Sequence, residues 1–176
     1  MSRLIQILVF SMAAYSATAF AQRCGATCAN AESFLGSSEQ ALVASFPEIK
    51  RLPKPIQGPR NSRGKWGVPE VLFAAQPFNI TFFISSGLVS RIELLSTASR
   101  PQCMQRIPFE RALAELGRTY GDSQAFGTFG DGGRSAQSVA FSNQGMDISL
   151  HYSMSPDACA TRVIYKAREV KDASEL

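Results

Sequence analysis

A chain of 176 residues that is 45% hydrophobic and 18% charged has the apolar content of a folded globule, which excludes a disordered tail. Its formal net charge of +4 favours acidic partners only weakly and excludes none by itself.

The N-terminus reads as a secretion signal. Arg3 supplies the positive start, residues 4–20 are apolar, and Ala19-Phe20-Ala21 is a small-x-small cleavage site. The stretch is short for a retained membrane helix, the competing reading. Cys24 raises a lipoprotein, but Arg23 before it does not suit lipidation. The expectation is a signal peptide over 1–21 and a mature chain from Gln22. Loss of one basic and no acidic residue leaves a charge of +3. Such a protein, bacterial by its short leader, is periplasmic or secreted and has no stable membrane anchor. About 155 residues remain, enough for one domain or two small fused units.

In chain order, Ser37 as N-cap with Gln40 three residues on predicts a helix whose apolar side is Leu42, Val43 and Phe46, stopped by Pro47. Residues 48–67 carry Pro53, Pro55, Pro59, Gly58 and Gly64 and no hydrophobic period, which predicts a long loop. Strands follow from Val71. Phe78, Ile80, Phe82 and Ile84 alternate with Asn79, Thr81, Phe83 and Ser85, and Ser85-Ser86-Gly87 is a turn into a strand over 89–95. A second helix starts at Pro108, with Phe109, Leu113, Leu116 and Tyr120 on one stripe, an Arg111–Glu115 pair outside and Gly121 at its end. Strands return at 139–141, at 146–152 after a turn, and at 161–166; residues 168–176 are a charged tail.

Residues 78–85 (FNITFFIS) and 146–153 (MDISLHYS) share their pattern position by position, and Ser90-Arg91-Ile92 answers Thr161-Arg162-Val163. Each set follows a helix. The expected fold is therefore α+β: tandem helix-plus-antiparallel-sheet units, αβββ twice, with helices packed on sheet and disulfides as staples. The first unit spans 22–100 and includes the basic loop; the second spans 101–167. In element order this resembles the secreted β-lactamase-inhibitor-type proteins and small outer-membrane-assembly lipoproteins. That resemblance implies protein binding across an exposed sheet face and its loops, and carries over no residue.

Four cysteines in an oxidising compartment read as two disulfides, with three possible pairings. Cys103 with Cys159 falls inside the second unit, and Cys24 with Cys28 closes a small ring at Gly25. A redox or metal reading of Cys24-x3-Cys28 lacks the two-residue spacing and a nearby histidine. No metal or cofactor is expected.

His151 is the sole histidine, and Asp147, Ser149 and His151 alternate along one strand, side by side on a solvated face rather than converging on a pocket. Gly130-Asp131-Gly132-Gly133-Arg134 lacks the Lys-Ser/Thr of a phosphate loop and reads as a hairpin turn. The chosen binding surface is the run Lys50, Arg51, Lys54, Arg60, Arg63 and Lys65, ended by Trp66, with no acid between Glu48 and Glu70. The polar face of Asn79, Thr81, Phe83, Asp147, Ser149 and His151 is the reserve. These features describe a non-enzymatic periplasmic binding protein of inhibitor or immunity type, meeting a protein with an acidic surface. Nucleic acid is disfavoured by compartment and by the lack of interleaved aromatics. An envelope-assembly accessory and an unrecognised hydrolase are the alternatives.

Overall fold

The computed structural model describes residues 31–143 and 145–168. The cleavage site, Cys24 and Cys28, and the tail beyond Arg168 lie outside the described residues. A 3-10 turn, Ala31–Phe34, precedes α1 (Glu39–Ser45). β1 (Lys50–Gln57), a 3-10 turn at Pro59–Asn61, β2 (Arg63–Phe73), β3 (Gln76–Ser85) and β4 (Leu88–Ser96) follow. Next come α2 (Arg100–Met104), α3 (Ile107–Tyr120), β5 (Gln124–Asp131), β6 (Arg134–Asn143), β7 (Met146–Met154) and β8 (Cys159–Ala167). All eight strands form one antiparallel sheet in the order β1-β2-β3-β4-β8-β7-β6-β5.

This overturns the expected tandem αβββ units and, with them, the resemblance built on element order. The last strands of the two halves pair directly, from Arg91↔Lys166 to Leu95↔Arg162, so the sheet does not stop between them. Two buried rows cross it: Trp66, Phe82, Ile92, Tyr165, Ile148 and Phe141, then Val68, Ile80, Leu94, Val163, Leu150 and Val139. All belong to one core cluster, Trp66 at its margin. The two look-alike segments are β3 and β7, which flank the central pair and turn the same alternate residues toward the helices. Two strands, β1 and β5, escaped the sequence reading: β1 is exposed along almost its whole length, so no apolar period marks it, and glycines at 127 and 130 interrupt any period in β5.

Both longer helices lie on one face. The N-cap of α1 is Ser38, one residue later than expected. The Ser38 Oγ accepts from the Ala41 amide at 3.1 Å, while Ser37 Oγ donates back to the Phe34 carbonyl. Leu42 and Phe46 are buried, and Phe46 meets Phe34 and Phe82 with ring centroids 5.5 and 5.9 Å away. In α3, Pro108 occupies the first turn and Gly121 ends the helix at φ 82°, as expected. Phe109, Ala112 and Leu116 are buried, and Phe109 packs on Tyr152 of β7. Glu115 pairs with Arg118 rather than with Arg111. Arg106, left-handed at φ 63°, sets its guanidinium over the rings of Phe109 and Tyr152, 4.9 and 5.1 Å from their centres, and bonds Glu110 and Gln137. Among the described residues no helix is long and apolar enough to cross a membrane.

The expected Cys103–Cys159 disulfide is present and ties α2 to the first residue of β8, 56 positions away. In the chain-entropy account a closed loop of that size stabilises by about 4 kcal/mol. Cys103→Ala with Cys159→Ala should therefore lower the unfolding free energy by about 3–4 kcal/mol in denaturant titration. A loss below about 1 kcal/mol would mean that the bridge constrains little.

Candidate functional site: the uncovered sheet face

The helices leave the opposite face of the sheet uncovered, and register decides what stands there. One row runs Phe83, Arg91, Lys166, Asp147; the next Thr81, Glu93, Ile164, Ser149; the third Leu95, Arg162, His151, Ser138. Four cations are laced to two carboxylates. Glu93, its side chain 15% exposed, takes Arg91 Nη2 on one oxygen and Arg162 Nε on the other, both at 2.9 Å. Asp147 takes Arg168 Nε at 3.0 Å and Lys166 Nζ at 3.6 Å. The Arg91–Glu93 pair is sheltered and fixes side-chain direction; Arg162 and the two Asp147 pairs are wetter and hold less.

The expected long loop is instead the edge hairpin β1–turn–β2, and it folds onto this face. Phe83 stands on the open side yet is buried because the turn at 58–62 lies over its ring. Glycine makes the approach possible. A Cβ on Gly58 would sit 2.7 Å from the Phe83 ring, and one on Gly64 would meet Thr81 Cγ2 at 2.8 Å and Phe83 at 3.2 Å. Gly67 likewise accepts Leu52 of β1. The Arg91 guanidinium lies 5.6 Å from the centre of the same Phe83 ring. The hairpin thus forms a wall. Between it and the sheet is a recess of about 480 Å³ lined by Pro59, Arg60, Ser62, Ser85, Ser90, Arg91, Asp147 and Lys166. A second recess of about 620 Å³ continues past Arg91, Lys166 and Ile164 to Ser149, His151, Gln124 and Asp122.

The sequence-chosen cationic cluster divides three ways. Arg60, left-handed at φ 52°, joins the first recess. Trp66 and Lys65 turn to the helix side. There Trp66 Nε1 donates to Glu39 Oε1 at 2.8 Å and Lys65 Nζ to Oε2 at 3.0 Å. The Trp66 bond, ahead of Lys65, holds the Glu39 carboxyl below its ordinary range. Lys50, Arg51, Lys54 and Arg63 are exposed on the hairpin. On β1 the cations accompany Pro53 and Pro55 and a slip of register between Arg51 and Ile56, the combination that keeps an edge strand from recruiting another. The sequence reading missed Arg91, Glu93, Arg162, Lys166 and Arg168. Alternation placed Arg91 and Glu93 on a polar face, but only the β4–β8 pairing brings the two polar faces together.

Of the reserve set, Phe83 is covered and Asn79 Oδ1 accepts from the Glu70 amide at 3.0 Å, bracing a bulge where Glu70 has φ 54°. His151 is half-buried, its Nδ1 2.8 Å from Ser138 Oγ and its Nε2 3.0 Å from Ser149 Oγ. Asp147 is engaged by Lys166 and Arg168, so the imidazole is held by hydroxyls. Burial first, then the charges of Arg162 and Arg91, push the His151 pKa down, with Glu93 opposing. Among the described residues no group of three or more His, Cys, Asp or Glu could hold a metal. No protein-family model, curated protein or solved structure matches the chain.

Two measurements follow from this geometry. A lowered histidine pKa means that the unfolded chain binds the proton more readily, so the contribution of neutral His151 is complete above its ordinary value of 6.5 and is lost as pH falls below it. The thermal midpoint should decline on that side of pH 6.5, and His151→Gln should flatten that part of the profile; an unchanged slope means the proton is taken up elsewhere. Separately, Gly64→Val should cost about 1–3 kcal/mol in denaturant titration, because the hairpin must lift from Thr81 and Phe83. An unaltered midpoint would mean that the wall is not packed there.

Proposed function

We propose that the protein is an exported binding protein of inhibitor or immunity type that docks an acidic surface of a protein partner on its uncovered sheet face. The observation that carries this reading is the charge on that face. Among the described residues, Arg60, Arg91, Arg162, Lys166 and Arg168 stand against Glu93, Asp147 and Asp122, five positive charges to three negative, with Pro59 of the hairpin wall supplying apolar contact. Electrostatic complementarity of this kind steers encounter and fixes register. Side chains already held by ion pairs and by Phe83 lose less freedom on binding than free ones. The Cys103–Cys159 bridge fits an oxidising compartment.

The test compares two triple variants against the captured partner by surface plasmon resonance. Arg60→Ser, Lys166→Ser and Arg168→Ser together should slow association several-fold at low salt, less at high salt, with the thermal midpoint near that of the parent. Lys50→Ser, Arg51→Ser and Lys54→Ser, on the blocked edge, should leave association nearly unchanged. The reverse outcome moves the binding surface to β1. Equal rates in all three proteins would reject a cation-steered surface.

A further inference from the structure

The two edges of the sheet are built differently. β1 is blocked by Pro53, Pro55 and its exposed cations. β5 has neither proline nor charge from 124 to 130, and its ladder with β6 is regular from Gly127↔Ser138 to Asp131↔Arg134. Gly132 and Gly133, at φ 50° and 81°, form the two-residue turn between them. In such a hairpin the pair flanking the turn exchanges the hydrogen bonds, so alternate residues, Thr128 and Gly130, point their N–H and C=O away from β6. Phe129 is 58% exposed, the most of any large apolar side chain among the described residues. Above Gly127 a Cβ would find nothing within 4 Å.

We propose that β5 pairs antiparallel with β5 of a second copy of this chain, about a two-fold axis through Thr128. In that register the two Thr128 residues exchange backbone hydrogen bonds, and Phe129 falls directly opposite Gly127 of the other copy. That pair is non-hydrogen-bonded, the closely spaced kind, so each ring covers the empty space over a glycine, once in each direction. The complementarity lies within one strand, which is why the occupant is a second copy rather than a foreign segment. The interface is isologous, and the blocked β1 edges close the assembly at two chains instead of letting it grow. A monomeric protein would leave the binding function above untouched, so the two readings fail separately.

Sedimentation velocity of the full mature chain over a dilution series tests the proposal, with a dimer expected that dissociates on dilution. Thr128→Pro removes an N–H that serves no bond to β6, so circular dichroism and thermal midpoint should hold while the dimer is lost. Gly127→Leu fits one copy and obstructs the ring of the other, with the same outcome expected. Thr128→Cys should cross-link two chains under mild oxidation, because residues facing each other in a hydrogen-bonded pair have Cα atoms about 5.5 Å apart, within disulfide reach. A wild type that is monomeric at every concentration overturns the proposal, whether or not a foreign strand binds β5. So does a dimer that survives both Thr128→Pro and Gly127→Leu.

Discussion

Everything in this molecule depends on the pairing of β4 with β8. Those two strands end their respective meanders, and their ladder turns two four-stranded halves into one sheet. On the helix side it sets Ile92 beside Tyr165 and Leu94 beside Val163, at the middle of the buried rows that α1 and α3 cover from either end. On the other side it brings Arg91, Glu93, Arg162 and Lys166 together, residues that lie about 70 positions apart along the chain. The same five residue pairs thus create both the continuous core and the charged face. A half-sheet alone would expose the apolar edge of its core and carry half of an ion ladder.

That double role explains how much was legible in advance. The period of two over 78–84 and 146–152 gave the buried strands, and the stripe from Phe109 to Tyr120 gave α3, because burial on one face imprints a period. The turns at Ser86-Gly87 and at Gly145 were readable from residue types suited to positive φ. Two things were out of reach. β1 has little to bury and β5 is interrupted by Gly127 and Gly130, so no apolar period marks them. The pairing of β4 with β8 is a non-local choice, and short-range pattern cannot distinguish it from two separate small sheets. Reading residues 48–67 as a loop confused prolines that guard a sheet edge with prolines that interrupt structure. The cations beside them were accordingly read as a binding cluster, although only Arg60 stands at the recess.

The candidate face shows why a constellation that looks chemical in sequence differs in three dimensions. Asp147, Ser149 and His151 share a strand and a side, yet the aspartate is drawn outward by Lys166 and Arg168 while the imidazole bridges two serine hydroxyls. The neighbours that decide this come from β6, β8 and the chain just beyond β8. Desolvation and two nearby guanidinium groups then favour a neutral ring. The three glycines of the hairpin act at the same level: they carry no functional group, but without them the wall beside Arg91 would stand away from the sheet.

Eight strands hydrogen-bonded in one layer also have a geometric consequence. Adjacent strands are usually rotated by roughly 20–25°, and seven successive pairings accumulate on the order of 150° between the outermost strands. A sheet twisted to that degree is saddle-shaped. A flat object touches a surface so twisted only along a narrow band, and the ion ladder lies at the β4–β8 pair, midway between the outermost strands.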